Sequence, residues 1–205
     1  MPVSFKSISA AVRRTRLPIL WIALAYLVGV LTGAIFVHAH NRFVLNYRDS
    51  LVSRAYQTDP AAVARSRGHW VCAAAADFAG NLLAGAVPST IMGLTVVLPF
   101  PVAAYRGWVG GIVSVDGHHT SRLADPHECA YYLGVLTLQL IPYTLAGAAG
   151  IRLGLAFMLP HSRWAYSSQQ RWLGIHADGV RDVLRIYLLV VPMFLIAFVV
   201  DFAAR

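Results

Sequence analysis

Residues 17–37 read LPILWIALAYLVGVLTGAIFV and contain no charged side chain. An α-helix rises about 1.5 Å per residue, so this stretch is long enough to cross the roughly 30 Å hydrocarbon core of a bilayer. Lys6, Arg13, Arg14 and Arg16 precede it without an acidic residue. A cleavable signal peptide has a shorter apolar region, about 7–15 residues. The stretch therefore predicts an uncleaved first transmembrane helix.

The composition of the whole chain also indicates a membrane protein. Hydrophobic residues make up 58% of the 205 residues and charged residues only 13%, which lies outside the usual balance of soluble domains. The sequence lacks a Walker loop, a GxGxxG turn and the HExxH, GxSxG and paired CxxC motifs. We therefore expect an integral membrane protein, a class that does not itself fix the activity. We expect no enzymatic activity and keep an intramembrane or metal-dependent enzyme as a third alternative.

Further apolar segments predict about five spans in a single domain of residues 1–205. The predicted spans are about 17–39, 71–98, 100–116, 130–157 and 184–203, with polar loops at 40–69, 117–128 and 158–182. Prolines and glycines interrupt several of these segments, and a tight reversal is expected at Pro99-Phe100-Pro101. The predicted fold class is an all-α polytopic transmembrane helical bundle.

The charge distribution predicts the orientation of this bundle. The chain has 17 Lys and Arg against 9 Asp and Glu, a net charge of +8. The basic flank of the first span predicts a cytoplasmic N-terminus by the positive-inside rule, in a bacterial inner (cytoplasmic) membrane. Surplus basic residues at a membrane contact anionic lipids, and we expect no nucleic-acid partner.

Small residues recur at the spacing of helix contacts. These rows are Gly29xxxGly33, Ala76xxxGly80xxxAla84, Gly107xxxGly111 and Gly150xxxGly154. Small side chains let two helix backbones approach closely inside a bilayer. The rows predict packing between helices of this chain.

Five polar residues near or within the predicted spans are candidates for a functional site. Asp77 and Asn81 are one helical turn apart on the second span, where Asp77 is either solvated at the outer boundary or part of a polar pocket. His127 and Glu128 precede the fourth span, which begins on the same side, so we expect them to turn inward beside Asp77 and Asn81. Glu128 could alternatively serve only as an acid in the first helical turn after Pro126. Arg106, in the short third span, is expected at the cytoplasmic boundary.

The loop before the fourth span contains several residues that bind metals in other proteins. The candidate ligands are Asp116, His118, His119, Asp125 and His127. Imidazole and carboxylate groups suit zinc or another divalent cation. The spacing matches no established metal motif, and a solvated loop contains such residues without any metal. We assign no cofactor and keep a divalent metal as the alternative.

Residues 78 to 156 resemble the stage II sporulation protein M family of bacterial and archaeal membrane proteins. The resemblance is carried by Phe78-Ala79-Gly80-Asn81, Gly93, Tyr105-Arg106-Gly107-Trp108-Val109-Gly110-Gly111, Pro126-His127-Glu128 and Leu145-Ala146-Gly147-Ala148-Ala149-Gly150-Ile151-Arg152-Leu153-Gly154. The sequence departs from the family pattern at Arg106, where the family has Asn, and at Glu128, which follows His127 without the usual spacer.

The resemblance implies an accessory or scaffolding subunit of a bacterial membrane complex. The family's sporulation member is a membrane component of machinery that remodels peptidoglycan, so the expected partners are other membrane proteins. The alternative is a small transporter or permease subunit with an outer-facing proton or ion site. Helices broken by glycine and proline beside charged residues favour that second function.

Overall fold

The structure is a computed structural model, and it describes residues 5–160, 164–166, 171–172 and 175–203. The described part of the chain is almost entirely helical. The helices are α1 (Phe5–His38), α2 (Arg42–Thr58), α3 (Pro60–Ser66), α4 (Trp70–Ala79), α5 (Val87–Gly93), α6 (Pro99–Ile112), α7 (Pro126–Met158) and α8 (Ala177–Ala203). A π-helix, Gly80–Ala86, joins α4 to α5. Two short antiparallel strands, β1 (Arg171–Trp172) and β2 (Ile175–His176), precede α8, and the rest of the predicted loop 158–182 lies partly outside the described residues.

Four helical stretches of the described chain are long and apolar enough to cross a bilayer. They are Phe5–His38, Trp70–Gly93, Pro126–Met158 and Ala177–Val200. The third predicted span, 100–116, corresponds to α6, whose 14 residues cover only about 21 Å. The predicted fold class, an all-α polytopic bundle, is confirmed, with one of its core helices shorter than a full span.

Helices α1 and α6 run parallel and touch through backbone. Gly29 and Gly33 of α1 face Ala104, Trp108 and Gly111 of α6, while Gly107 and Gly111 of α6 face Tyr26 and Val30 of α1. A Cβ atom at any of these four glycines would overlap the backbone of the facing helix. The two small-residue rows therefore set the distance between these helices.

Helix α7 is the central helix of the bundle. Most of its apolar length is buried, whereas only a minor part of the apolar length of α1 and of α8 is buried. Its residues Leu145 and Ala149 pack against Ile186, Val190 and Phe194 of α8. On another side, Gly150 lies against Thr90 and Gly93 of α5. The surrounding helices thus present their outward faces to lipid.

The chain reverses before α6 at a different place from the one predicted. The turn lies at residues 94–98, where Val96 has a φ of 67° and the Thr95 hydroxyl accepts a hydrogen bond from the Leu98 amide. Pro99 and Pro101 instead form the first turn of α6, where the missing amide hydrogen costs nothing. Helices α7 and α8 begin several residues before the predicted spans 130–157 and 184–203. The polar end of a helix can extend beyond the hydrocarbon core of the bilayer.

The bundle carries a folded cap at one end. We call the end where α1 begins the first end and the end where α1 finishes the second end. The cap consists of α2, α3 and residues 113–125, and it lies at the second end. Its apolar side joins α1 and α6 through a buried cluster of Val37, Val44, Leu45, Ile112 and Val115. The cap is therefore fixed to the bundle by packing.

Candidate functional site

Three polar side chains meet between the helices of the bundle, and we call them the polar chain. The guanidinium carbon of Arg106 on α6 lies 3.9 Å from the ring centroid of Tyr143 on α7. The Tyr143 hydroxyl donates a hydrogen bond of 2.5 Å to Oδ1 of Asn81 in the π-helix. Asn81 Nδ2 donates in turn to the backbone carbonyl of Asp77 at 3.0 Å. The polar chain thus connects three helical segments.

The polar chain lies midway along the bundle. Tyr143 is the eighteenth of the 33 residues of α7, and Asn81 is near the middle of the stretch Trp70–Gly93. Gly107, next to Arg106, packs on the backbone of Tyr26, which is central in the charge-free run of α1. The expectation that Arg106 lies at a membrane boundary is therefore wrong. A charge at this depth needs a partner within the protein, and the face of Tyr143 supplies one.

The π-helix makes room for Tyr143. A Cβ atom on Gly85 would lie 2.6 Å from the Tyr143 hydroxyl oxygen, so only glycine leaves space for the ring. Pro88, just after the π-helix, lacks the amide hydrogen of a regular α-helical ladder, and the Ser89 hydroxyl donates to the Gly85 carbonyl at 2.8 Å. Single π-helical turns are common at functional positions. Here the widened turn sets Asn81 opposite Tyr143.

The space beside the polar chain is small. A cavity of about 10 Å³ lies between α1, α5, α6 and α7, with Arg106, Tyr143 and Thr144 in its lining. Thr144 is 3% exposed, and its hydroxyl oxygen has no hydrogen-bond partner among the described residues. A volume of this size holds about one water molecule. The arrangement can therefore hold a water or relay a proton, but it has no room for a larger substrate.

His127 and Glu128 do not join the polar chain. Oδ1 of Asp125 accepts hydrogen bonds from the backbone amides of both residues at 2.9 Å and so caps α7. Glu128 is in the first turn of α7 and faces Arg122 at 3.4 Å. Tyr143 lies sixteen residues after His127, about 24 Å along the helix. The structure thus brings Asn81 and Arg106 together through Tyr143, with Asp77 one turn away, and leaves His127 and Glu128 at the second end.

The candidate metal ligands have other local partners. Asp116 accepts hydrogen bonds from the backbone amides of His118 and Thr120, and the bond from Thr120 is the main cause that lowers the pKa of Asp116. His119 pairs with Asp49 of α2 at 2.9 Å. Among the described residues, no group of three or more His, Cys, Asp or Glu side chains is placed to hold a metal ion. Asp116 and Asp125 shape the turns of this loop, and His119 joins it to α2.

We expect Asp49 to make the stability of the cap pH-dependent. The Arg48 guanidinium, opposed by partial burial and assisted by His119, holds the pKa of Asp49 below its usual range. A lowered carboxyl pKa stabilises the folded state above the unfolded-state value of about 3.9, and this stabilisation is lost as the pH falls through the folded-state pKa. Asp49→Asn should lower Tm by about 1–3 °C at pH 7, because Asp49 is partly exposed.

Melting curves at pH 7 and at about pH 3 check this expectation, because the difference between wild type and Asp49→Asn should become smaller as the pH falls toward the folded-state pKa of Asp49. Asp59→Asn is the matched control, since Asp59 caps α3 through its side chain and Asn caps equally well. A difference that is the same at both pH values would contradict the assigned role of Asp49.

A second polar cluster lies at the first end, between α1 and α8. Asp182 binds Nη2 of Arg14 at 2.6 Å and Nη1 of Arg185 at 3.0 Å. Arg152 of α7 is buried nearby, donates to the backbone carbonyl of Trp164 and lies 4.3 Å from the ring centroid of Tyr166. Burial raises the pKa of Tyr166 to about 12, so its hydroxyl stays protonated. We call this group the first-end cluster.

Reasoning from the sequence missed Tyr143 and Asp182. Tyr143 lies in a charge-free run and therefore reads as part of an apolar helix. One signal was available, because a tyrosine in the middle of a membrane span usually finds a hydrogen-bond partner for its hydroxyl. Asp182 lies 168 residues from Arg14, and no sequence pattern links the two.

The fold and the polar chain define the class of this protein, an α-helical polytopic membrane protein with a charged residue held inside its bundle. The family model described as Stage II sporulation protein M matches residues 22–201, a range that contains the polar chain and nearly all of the bundle. The chain therefore belongs to the stage II sporulation protein M family, as its motifs predicted. No curated protein and no solved structure matches the chain.

Tyr143→Phe tests the polar chain. The substitution removes the hydroxyl that donates to Asn81 and keeps the ring that faces Arg106. We expect the free energy of unfolding to fall by about 1–2 kcal/mol, since Oδ1 of the half-buried Asn81 loses its donor. Tyr56→Phe, at an exposed position of α2 outside the polar chain, is the comparison variant. Equal unfolding midpoints for wild type and Tyr143→Phe in the same detergent would contradict the assigned hydrogen bond.

Proposed function

We propose that this protein is an accessory or scaffolding subunit of a bacterial inner-membrane complex that acts on the cell envelope. Membership of the stage II sporulation protein M family supports a role linked to peptidoglycan remodelling. The small volume beside the polar chain supports a structural role for the bundle interior, because Arg106, Tyr143 and Asn81 bind one another across three helical segments.

The observation that carries this proposal is the folded cap. The contacts that hold it include those of Arg48 with the Val115 carbonyl, His38 with Ser114, and His119 with Asp49. Its outer surface exposes polar side chains of α2 together with Phe43 and Tyr56. A rigid surface that mixes polar and aromatic residues suits contact with another protein.

The proposed orientation places this cap outside the cytoplasmic membrane. Lys6, Arg13, Arg14 and Arg16 all lie near the first end, and a basic flank favours the cytoplasm. With the N-terminus cytoplasmic, the second end and its cap face the envelope. A partner that acts on peptidoglycan would meet the cap on that side.

Site-specific photo-crosslinking in living cells tests the scaffolding function. A benzoylphenylalanine residue replaces Gln57, which is exposed on α2, or Leu24, which is exposed on the apolar face of α1. We expect Gln57 to yield a discrete crosslink to an envelope-acting membrane protein identified by mass spectrometry, and Leu24 to yield none. Crosslinks from Gln57 that do not exceed those from Leu24 would overturn the proposal.

A transporter or permease subunit is the second candidate function. The observation that favours it is a charged residue, Arg106, beside a π-helix midway along the bundle, where transporters place their broken helices. Proteoliposomes with a pH-sensitive dye inside test for proton flux. Flux above that of empty liposomes that is lost in Arg106→Gln would favour this function, whereas flux equal to that of empty liposomes would favour the scaffold.

A further inference from the structure

The cap contains a pocket with an unusual lining. The pocket has a volume of about 450 Å³ and lies between α2, α3 and the residues that follow α6. Three arginines from these separate segments line it: Arg48, Arg65 and Arg122. Apolar side chains of α2, Leu51 and Val52 among them, form another part of the wall. We call it the arginine pocket.

Arg48 keeps a buried hydrogen-bond donor that the described part of the protein does not use. Its side chain is buried, with 6% of the residue exposed. Nη1 donates to Asp49 at 2.8 Å and Nη2 to the Val115 carbonyl at 3.3 Å, while the buried Nε has no acceptor among the described residues. A buried donor without an acceptor is costly and calls for an explanation.

Arg122, which lines the same pocket, repeats this pattern. Its Nη1 contacts Glu128 at 3.4 Å, and its buried Nε also lacks an acceptor among the described residues. The Glu128 side chain is 53% exposed, so this ion pair is weak. Arg122 can therefore exchange Glu128 for another anion at little cost.

The charge of the lining selects the kind of ligand. The lining contains three guanidinium groups, and no acidic side chain of the described residues belongs to it. Asp49, outside the lining, pairs with Arg48 through one carboxylate oxygen and with His119 through the other. The walls thus combine positive charge with apolar surface.

We propose that the arginine pocket binds a small amphipathic oxyanion. A carboxylate or phosphate group would lie at Arg48 and Arg122, since the guanidinium fork matches both groups, and an apolar substituent would lie against Leu51 and Val52. The volume is within the range of small-molecule sites. This inference does not depend on the scaffolding function, because the pocket binds its ligand without a protein partner.

Titration calorimetry on the full chain in lipid nanodiscs tests the inference. The probes are phenylacetate, phenyl phosphate and the neutral 2-phenylethanol, which share one ring and differ in charge. We expect at least one anion to bind and the alcohol not to bind. Binding of phenylacetate alone identifies a carboxylate ligand, binding of phenyl phosphate alone a phosphate ligand, and binding of both an oxyanion site without further selection.

Variants of arginines in and outside the pocket complete the test. Arg122→Gln should weaken anion binding about tenfold or more, because a charge-assisted hydrogen bond is lost. Arg54→Gln is the matched control, since Arg54 is an exposed arginine of α2 outside the lining, and it should bind as wild type does. Arg48→Gln should abolish binding, and a melting curve shows whether that variant is folded.

Three results would overturn the inference. These are no binding of either anion, equal binding of the alcohol, and unchanged binding in Arg122→Gln. If Arg48→Gln fails to fold, Arg122→Gln decides alone. Because purified protein is used, failure here leaves the crosslinking test of the scaffold unaffected.

Discussion

Replacing Asp182 by asparagine should lower the free energy of unfolding by about 3 kcal/mol. The side chain of Asp182 is 4% exposed and lies between Arg14 of α1 and Arg185 of α8. The substitution keeps the volume but removes the negative charge that Arg14 and Arg185 share. The effect is at the lower end of the range for buried ion pairs. The reason is that 42% of the Arg14 side chain is exposed, so water can hydrate its charge once Asp182 is replaced.

Denaturant unfolding of the purified protein in detergent measures this effect. Asp178→Asn is the matched control, since Asp178 pairs with Arg181 one turn earlier on α8 and both side chains are about one-third exposed. That variant should lose less than about 1 kcal/mol. Adding Arg14→Gln to Asp182→Asn should restore part of the loss, because one unpaired charge is removed. Similar losses in the two asparagine variants would contradict the assigned role of Asp182.

Gly107→Ala should prevent the close packing of α1 and α6. The added Cβ atom would overlap the backbone carbonyl of Tyr26, which cannot move away unless the two helices separate. We expect a loss of at least about 3 kcal/mol, above the usual cost of overpacking, because backbone rather than a side chain is displaced. The amount of folded protein that elutes as a single peak in size-exclusion chromatography should fall sharply.

Gly134→Ala is the control for this substitution. Gly134 is a helical glycine of α7 with open space where its Cβ would lie. Alanine at such a position raises helix stability by up to about 1 kcal/mol, so this variant should fold as well as wild type or better. A Gly107→Ala protein as stable as Gly134→Ala would show that α1 and α6 are not in backbone contact.

The fold class could be predicted from the sequence because spans are encoded locally. The charge-free run at 17–37 and the motif around Gly150 are each read from neighbouring residues. The depth of Arg106 was mispredicted for the opposite reason. Its partner Tyr143 lies 37 residues further along the chain. A hydropathy profile includes the charge of Arg106 but not its contact with the Tyr143 ring.

The candidate site was predicted only in part. Asn81 and Arg106 were singled out from the sequence as candidates, and in the structure both contact Tyr143. His127 and Glu128 were expected beside them because two spans begin on the same side. That argument fixes the side of the membrane on which these residues lie but not their position along the bundle. Because α7 begins at Pro126, His127 and Glu128 stay at the second end.

The claim on which the proposed function rests most is that the second end and its cap face the envelope. Cys72 on α4 and Cys129 in the first turn of α7 both lie at the second end and are free thiols. A membrane-impermeant maleimide applied to intact spheroplasts tests the claim, with Ser9→Cys near the first end as the control. We predict that the exposed Cys72 reacts without permeabilisation and that Ser9→Cys adds a thiol that reacts only after it. Labelling of Cys72 and Cys129 only after permeabilisation, with Ser9→Cys labelled before it, would contradict the account.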